Sequence, residues 1–298
     1  MNFFALCLIA VTAVAPVQSQ YRRTPYVGAV AVDCADGRVL LSDNAERACY
    51  PASCTKLMTA YLVLEEVKKG SISLSDRIGQ TSESLAEKPS ISGLRAGDTV
   101  TVDEALKILM VKSANDIAVM LAQHVSDRLS ASKNLSGAGK VVNFVELMNK
   151  TASAMGMKDT LFTTPNGYPP PNGSKRGFDR STARDLSVLG RRVLIDHPEI
   201  LRYTSVGNLT VKSGGGSVLC YTSHNNLMVG NRKRGIAKMR EVDGLKTGYH
   251  DAGGSSIVLT GKRNGKRALV VVVGSSSAKD RDDAAGRMLS DALGALDW

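Results

Sequence analysis

Three short groupings in this sequence have the makings of acyl-transfer chemistry. Ser53 precedes Lys56 by three residues in Tyr50-Pro-Ala-Ser-Cys-Thr-Lys-Leu-Met-Thr59. On a helix that spacing sets two side chains next to each other. A lysine that has lost its proton then accepts one from the serine hydroxyl as the oxygen attacks a carbonyl. Ser113-Ala114-Asn115 offers a second hydroxyl and an amide, and Lys246-Thr247-Gly248 a cation beside a hydroxyl. The strings themselves are cheap. S-x-x-K recurs at Ser130/Lys133 and Ser276/Lys279, S-x-N at Ser42/Asn44, Ser132/Asn134 and Ser223/Asn225, and K-[ST]-G at Lys212.

Setting separates these matches. Pro51 suits a first helical turn, and a helix over Ser53–Lys69 puts Leu57, Ala60, Leu64 and Val67 on the face that also carries Ser53 and Lys56. A lysine held among apolar groups loses hydration, which favours its free amine; one at the edge of the face would instead snorkel to water. Ser113–Asn115 falls between helices predicted over Asp103–Met110 and Asp116–Leu129, where Asn115 also suits an N-cap. Lys246–Gly248 directly precedes a hairpin, Ser255–Gly261 and Arg267–Val273 around Asn264-Gly265, so an edge strand would present it. Lys212-Ser213-Gly214 and Ser42-Asp43-Asn44 read as turns.

A first hairpin, Tyr26–Val32 with Arg38–Leu41, opens the chain, and further helices are expected over Val141–Met155, Thr182–Ile195 and Asp280–Leu296. The last places Ala284, Ala285, Met288, Leu289, Ala292 and Leu293 on one side. Segments 130–140 and 213–217 read as loops. Strands at both ends with helices between them predict an α+β fold, its antiparallel sheet built from both chain ends, flanked by helices, with a helical insertion.

The 298 residues carry 38 Lys+Arg against 28 Asp+Glu, a net charge of +10 that favours anionic partners or surfaces. Phe3–Ala15 is apolar but shorter than the roughly 20 residues that span a bilayer. With Val17-Gln18-Ser19 after it, residues 1–19 read as a signal peptide and 20–298 as one exported catalytic domain. Export argues against nucleic acid, as does the lack of aromatic interleaving near Arg232-Lys233-Arg234. Cys34, Cys49, Cys54 and Cys220 remain after cleavage. Cys34 with Cys49 is the nearest pairing, and buried thiols serve equally well. Without C-x-x-C or H-x-x-x-H spacing no metal site is expected, and no cofactor.

Taken together, S-x-x-K, S-x-N and K-T-G resemble the motifs of the penicillin-recognising serine enzymes. Tyr50–Thr59, Lys112–Val119, Thr164-Pro-Asn-Gly167 and Asp243-Gly-Leu-Lys-Thr-Gly248 resemble the D-alanyl-D-alanine carboxypeptidases among low-molecular-mass penicillin-binding proteins. The likeness runs from Tyr26 to Leu296 and implies the β-lactamase/D,D-peptidase fold. It implies that Ser53 is the nucleophile, that Lys56 takes its proton, that Ser113 relays a proton to the leaving D-alanine, and that Asn115 holds the substrate amide. It also implies that Lys246 and Thr247 receive the terminal carboxylate, that the Gly248 strand pairs with the peptide, and that the N–H groups of Ser53 and Tyr249 form an oxyanion hole. Peptidoglycan stem peptides would be the substrate and β-lactams the inhibitors.

Two positions depart from the family. His250 stands where many relatives have a hydroxyl, so that a protonated imidazole would replace it below neutral pH. Ser275-Ser276-Ser277 stands where some carboxypeptidases have an arginine, which leaves room for a D,D-endopeptidase. A β-lactamase would need a water-activating carboxylate. Glu146, with Asn149, is the one at a tempting distance, yet it points opposite the apolar face of Val141, Val145, Met148, Ala152 and Met155. A non-catalytic peptidoglycan-binding protein is disfavoured by the intact Ser53, Lys56, Ser113, Asn115 and Lys246. Longer relatives carry a further β-domain and an anchoring tail; with Trp298 just past the last helix, no C-terminal membrane anchor is expected.

Overall fold

The computed structural model describes residues 25–129, 134–169, 177–231 and 238–297. The expected signal peptide, Ser130/Lys133 and Arg232–Arg234 lie outside them.

A five-stranded antiparallel sheet organises these residues. It comprises β1 (Gly28–Asp33), β2 (Val39–Asp43), β7 (Val242–His250), β8 (Gly254–Arg263) and β9 (Lys266–Ser275), in the order β2-β1-β9-β8-β7. Strand β1 pairs with β9 from Gly28↔Val273 to Asp33↔Ala268, so the two ends of the chain meet as expected. The run Leu269–Val273 is buried throughout, which marks a strand covered on both faces. Alternation divides it: Leu269, Val271 and Val273 enter one core, while Val270 and Val272 enter another. The second core is closed by α8 (Ala278–Leu296) through Ala284, Ala285, Leu289, Ala292 and Leu293, with Met288 at its rim.

The first core holds the remaining helices: α1 (Lys56–Lys68), α3 (Val102–Val111), α4 (Asn115–Leu129), α5 (Gly137–Ala154) and α6 (Ala183–Asp196), with Tyr203 of the one-turn α7 (Leu201–Thr204) buried in it and the one-turn α2 (Ser82–Leu85) against α4. Helix α1 differs from the amphipathic helix expected. It is buried without a break from Lys56 to Leu64, because it runs between α3, α4, α5, α6 and β7. Helix α5 starts at Gly137, within the segment read as loop, because the Ser136 hydroxyl caps it by accepting from Gly139 N at 3.1 Å.

Two strand pairs escaped the sequence reading: β3 (Arg77–Gly79) with β4 (Thr99–Thr101), and β5 (Asn208–Lys212) with β6 (Val218–Thr222). Both are short and present a polar face, so neither shows a clear apolar alternation. Segment 213–217 is the turn of the second pair. All four described cysteines are thiols; Cys34 follows β1 and bonds to the Arg267 carbonyl, while Cys49 bridges to Ser181, so the Cys34–Cys49 pairing does not form. No described helix is long and apolar enough to cross a membrane.

Candidate active site

Ser53, the candidate nucleophile, sits one step before its helix. Ser53 lies in a 3-10 turn, Ala52–Thr55, and Lys56 opens α1. Ala52 has φ +48°, a strained conformation for a residue with a side chain, of the kind that gathers at functional sites. The strain turns the Ser53 side chain into a cleft of about 820 Å³ lined by Ser113, Thr247, Gly248, Tyr249 and Arg281 among others.

Lys56 is fully buried, and its Nζ donates to Ser53 Oγ at 2.9 Å, Asn115 Oδ1 at 2.7 Å and the Asn166 carbonyl at 2.8 Å. Burial first, and then the neighbouring Lys246 cation, hold its pKa well below the ordinary lysine value. The free amine, favoured here, keeps its two N–H for Asn115 and Asn166 and turns its lone pair to the Ser53 hydroxyl. This excludes the snorkelling alternative.

Ser113 adopts φ +63°, the second strained residue of the site. That kink ends the passage from α3 to α4 and turns its hydroxyl to Lys246, whose Nζ donates to Ser113 Oγ and to the Thr247 carbonyl, both at 2.9 Å. Burial lowers Lys246 to about 8, which leaves it largely cationic at neutral pH. Strand β7 is the sheet edge expected to present it. Gly248 lets that edge pass the nucleophile: a Cβ there would stand 2.5 Å from the Pro51 carbonyl oxygen and 3.2 Å from Cys54 N.

His250 corrects its expectation. It is buried with its ring against Phe178, Tyr50 and Tyr168, and its Nδ1 accepts from Gly253 N at 3.0 Å. Burial lowers its pKa to about 4, so the imidazole is neutral and packed among aromatic rings. An arginine does stand a turn beyond Ser275–Ser277. Arg281, on α8, is 4% exposed and lines the cleft, with Nε and Nη2 donating to Asp282 Oδ1 at 2.8 and 2.6 Å. Glu146 is exposed, and Asn149 serves the fold by bonding the Phe162 carbonyl.

Three further residues join the site from outside the three triads. Asn166 brings its carbonyl to Lys56, at the turn that ends in Gly167 (φ +83°), where any Cβ would overlap the Ala52 carbonyl. Buried Asp179 ties that turn to the nucleophile's turn by accepting from Thr55 Oγ1, Thr163 N and Thr164 N at 2.6, 2.7 and 3.1 Å. Glu87 accepts from Asn166 Nδ2 at 2.9 Å. Thr164–Gly167 was visible as a motif; a lone aspartate and a lone glutamate carry no spacing signal. Among the described residues, no group of three or more His, Cys, Asp or Glu is placed to hold a metal ion.

A serine with a buried lysine as its partner, opposite a lysine on a sheet edge, defines the class of active-serine acyl-transfer sites without histidine. The chain belongs to the Peptidase S11 family, D-alanyl-D-alanine carboxypeptidase, which matches residues 19–277. It is 30% identical over 268 residues to the D-alanyl-D-alanine carboxypeptidase DacF of Bacillus subtilis, covering 89% of this chain and 61% of that relative. The chain thus spans about three fifths of that relative's length, and likewise of DacA from Haemophilus influenzae. Among solved structures it is similar to the carboxypeptidase DacD of Francisella tularensis (TM-score 0.78, 25% identity, 90% of this chain and 70% of that one). It is also similar to penicillin-binding protein D2 of Listeria monocytogenes in its cefotaxime-bound form (TM-score 0.72, 28% identity, 90% and 96%). The α+β fold expected from the sequence is the one these structures share.

Proposed function

We propose that this chain is a serine D,D-carboxypeptidase that trims peptidoglycan stem peptides and is acylated by β-lactams. The contact that carries the reading is Lys56 Nζ at 2.9 Å from Ser53 Oγ, in a setting that disfavours the ammonium. Ser53 Oγ gives its proton to Lys56 Nζ as the new C–O ester bond forms. Ser113, held by Lys246, gives its hydroxyl proton to the D-alanine nitrogen as the C–N bond breaks. It takes back the one that Lys56 had accepted from Ser53, so both groups return to their starting forms. Water then hydrolyses the ester, returning the proton to Ser53 and leaving the shortened peptide as an acid. Asn115 holds the substrate amide, the strand carrying Gly248 pairs with the peptide, and the N–H groups of Ser53 and Tyr249 stabilise the oxyanion.

Lys246, with Thr247, receives the terminal carboxylate; Arg281 lines the cleft beside them, its guanidinium paired with Asp282. The Lys246 cation suits a chain end better than the neutral amide of a cross-link, which favours the carboxypeptidase over the endopeptidase. His250 is assigned to packing beneath this subsite, not to the carboxylate. One sheet with helices on both faces, from Gly28 to Leu296, supports reading residues 20–298 as one catalytic domain. A peptidoglycan substrate places its action outside the cytoplasm, in keeping with the proposed signal peptide at residues 1–19.

Intact-mass measurement after incubation with benzylpenicillin and with a D-Ala–D-Ala peptide tests the reading. A penicillin adduct and D-alanine release, both lost in Ser53→Ala, are expected. Absence of both from the wild-type protein would refute it.

A further inference from the structure

Glu87 stands on the loop between α2 and Pro89, outside every motif, yet its carboxylate belongs to the hydrogen-bond system of the nucleophile. Glu87 Oε2 accepts from Asn166 Nδ2 at 2.9 Å. Asn166 is 1% exposed; its Oδ1 accepts from Tyr168 N at 2.8 Å, and its main-chain carbonyl accepts from Lys56 Nζ at 2.8 Å. One residue therefore carries both the oxygen set against the Lys56 amine and the amide that grips Glu87. The Glu87 loop also reaches the second motif: Asn115 donates through Nδ2 to the Pro89 carbonyl at 3.1 Å and through its backbone N–H to the Ser90 carbonyl at 2.7 Å. Asn115 Oδ1 in turn accepts from Lys56.

We propose that Glu87 is a positioning residue for acylation, a carboxylate that acts through Asn166 to hold the Lys56 amine against Ser53 and whose charge sets how readily that amine keeps a proton. The proposal rests on the serine-peptidase reading above. Facing Glu87 are Lys56 of α1 and Asp116 of α4. Facing Lys56 are Lys246 of β7, Asp179 of the segment before α6 and Cys54 of the nucleophile's turn, with His224 on the cleft wall. Burial and Lys246 oppose the Lys56 ammonium, whereas Glu87 and Asp179 favour it. Burial also lifts Glu87 to about 7. Glu87 therefore changes charge near neutral pH, and its charge is coupled to that of Lys56.

The test is the pH profile of the second-order rate constant for acylation by a fluorescent penicillin. Glu87→Gln keeps the size of the side chain and an oxygen for Asn166 Nδ2, but carries no charge. Removing an anion from beside Lys56 favours the free amine, so the base works down to lower pH. The acid limb is expected to move down by up to about one pH unit, as far as the wild-type Glu87 is ionised along it. Glu87→Asp, which restores the charge, should return the limb toward the wild-type position. Glu87→Ala lacks both charge and grip, so it should be about tenfold slower as well as shifted. Glu87→Ala and Glu87→Gln both remove the charge, so whichever folds reports the limb. A limb that stays at the wild-type pH while the rate falls by one factor throughout would overturn the proposal, since a scaffold residue acts in that way. A wild-type protein that forms no adduct would overturn the serine-peptidase reading first, and this proposal with it.

Discussion

Gly248→Ala tests whether the close passage of β7 over the nucleophile's turn is what aligns the site. The added Cβ would lie 2.5 Å from the Pro51 carbonyl oxygen, and real Cβ atoms essentially never come closer than 3.0 Å. Strand and turn must therefore separate by at least 0.5 Å. Both partners are backbone, so no side chain can swing aside. Strain of this kind costs roughly 1–3 kcal/mol of stability. Activity should suffer more. Lys246 and Ser53 lie on the two sides of the gap, and a misplacement of about 1 Å costs on the order of 100-fold in rate. A separation of half that size predicts a loss of roughly tenfold or more in acylation by a fluorescent penicillin. Melting by circular dichroism gives the stability change. Gly294→Ala is the control, because a Cβ there meets nothing within 4 Å; it should acylate like the wild type. Acylation of Gly248→Ala within threefold of wild type would refute the reasoning, since the motif's glycine would then owe nothing to the passage.

Two further outcomes follow from buried polar groups. Asp179→Ala leaves Thr55 Oγ1, Thr163 N and Thr164 N without their acceptor, and the fold should lose about 3 kcal/mol or more, seen as a lower melting temperature together with slower penicillin labelling. His250 titrates at about 4 when folded against an ordinary 6.5. The unfolded chain therefore takes up the proton first, and stability is lost as pH falls through that interval. His250→Phe should keep the stack on Phe178 and Tyr50 while removing about 2 kcal/mol of the stability difference between about pH 7 and pH 5, as read from urea unfolding; an unchanged difference would contradict it.

The sequence carried the site's three triads because each combines a fixed local spacing with a local setting. Ser53 and Lys56 needed only one turn of chain, and Lys246–Gly248 needed only the hairpin after it. Arg281 was missed because it was sought directly after β9, whereas the first residues of α8 carry it back to the cleft. The His250 expectation failed because spacing along a strand says which residue follows, not that Phe178 and Tyr50 come from distant segments to bury its ring. Asp179 and Glu87 gave no local signal at all. Their roles exist only once the 163–167 turn lies over α1. The burial of α1 on all sides was equally hidden, because its polar residues, Lys56 and Thr59, pair with backbone carbonyls from elsewhere.

The pairing of β1 with β9 also bears on the order in which the protein gains its chemistry. Partners such as Gly28 and Val273 are separated by nearly the whole described chain, so the central sheet cannot close until both ends of the chain are present. A nascent chain has Ser53 and Lys56 long before it has Lys246. Until the β7–β9 meander arrives, the β1–β2 hairpin waits with an unpaired edge, and the amine and hydroxyl have no carboxylate-binding wall opposite them. The proposed site is therefore incomplete in an unfinished chain until β7 has been made.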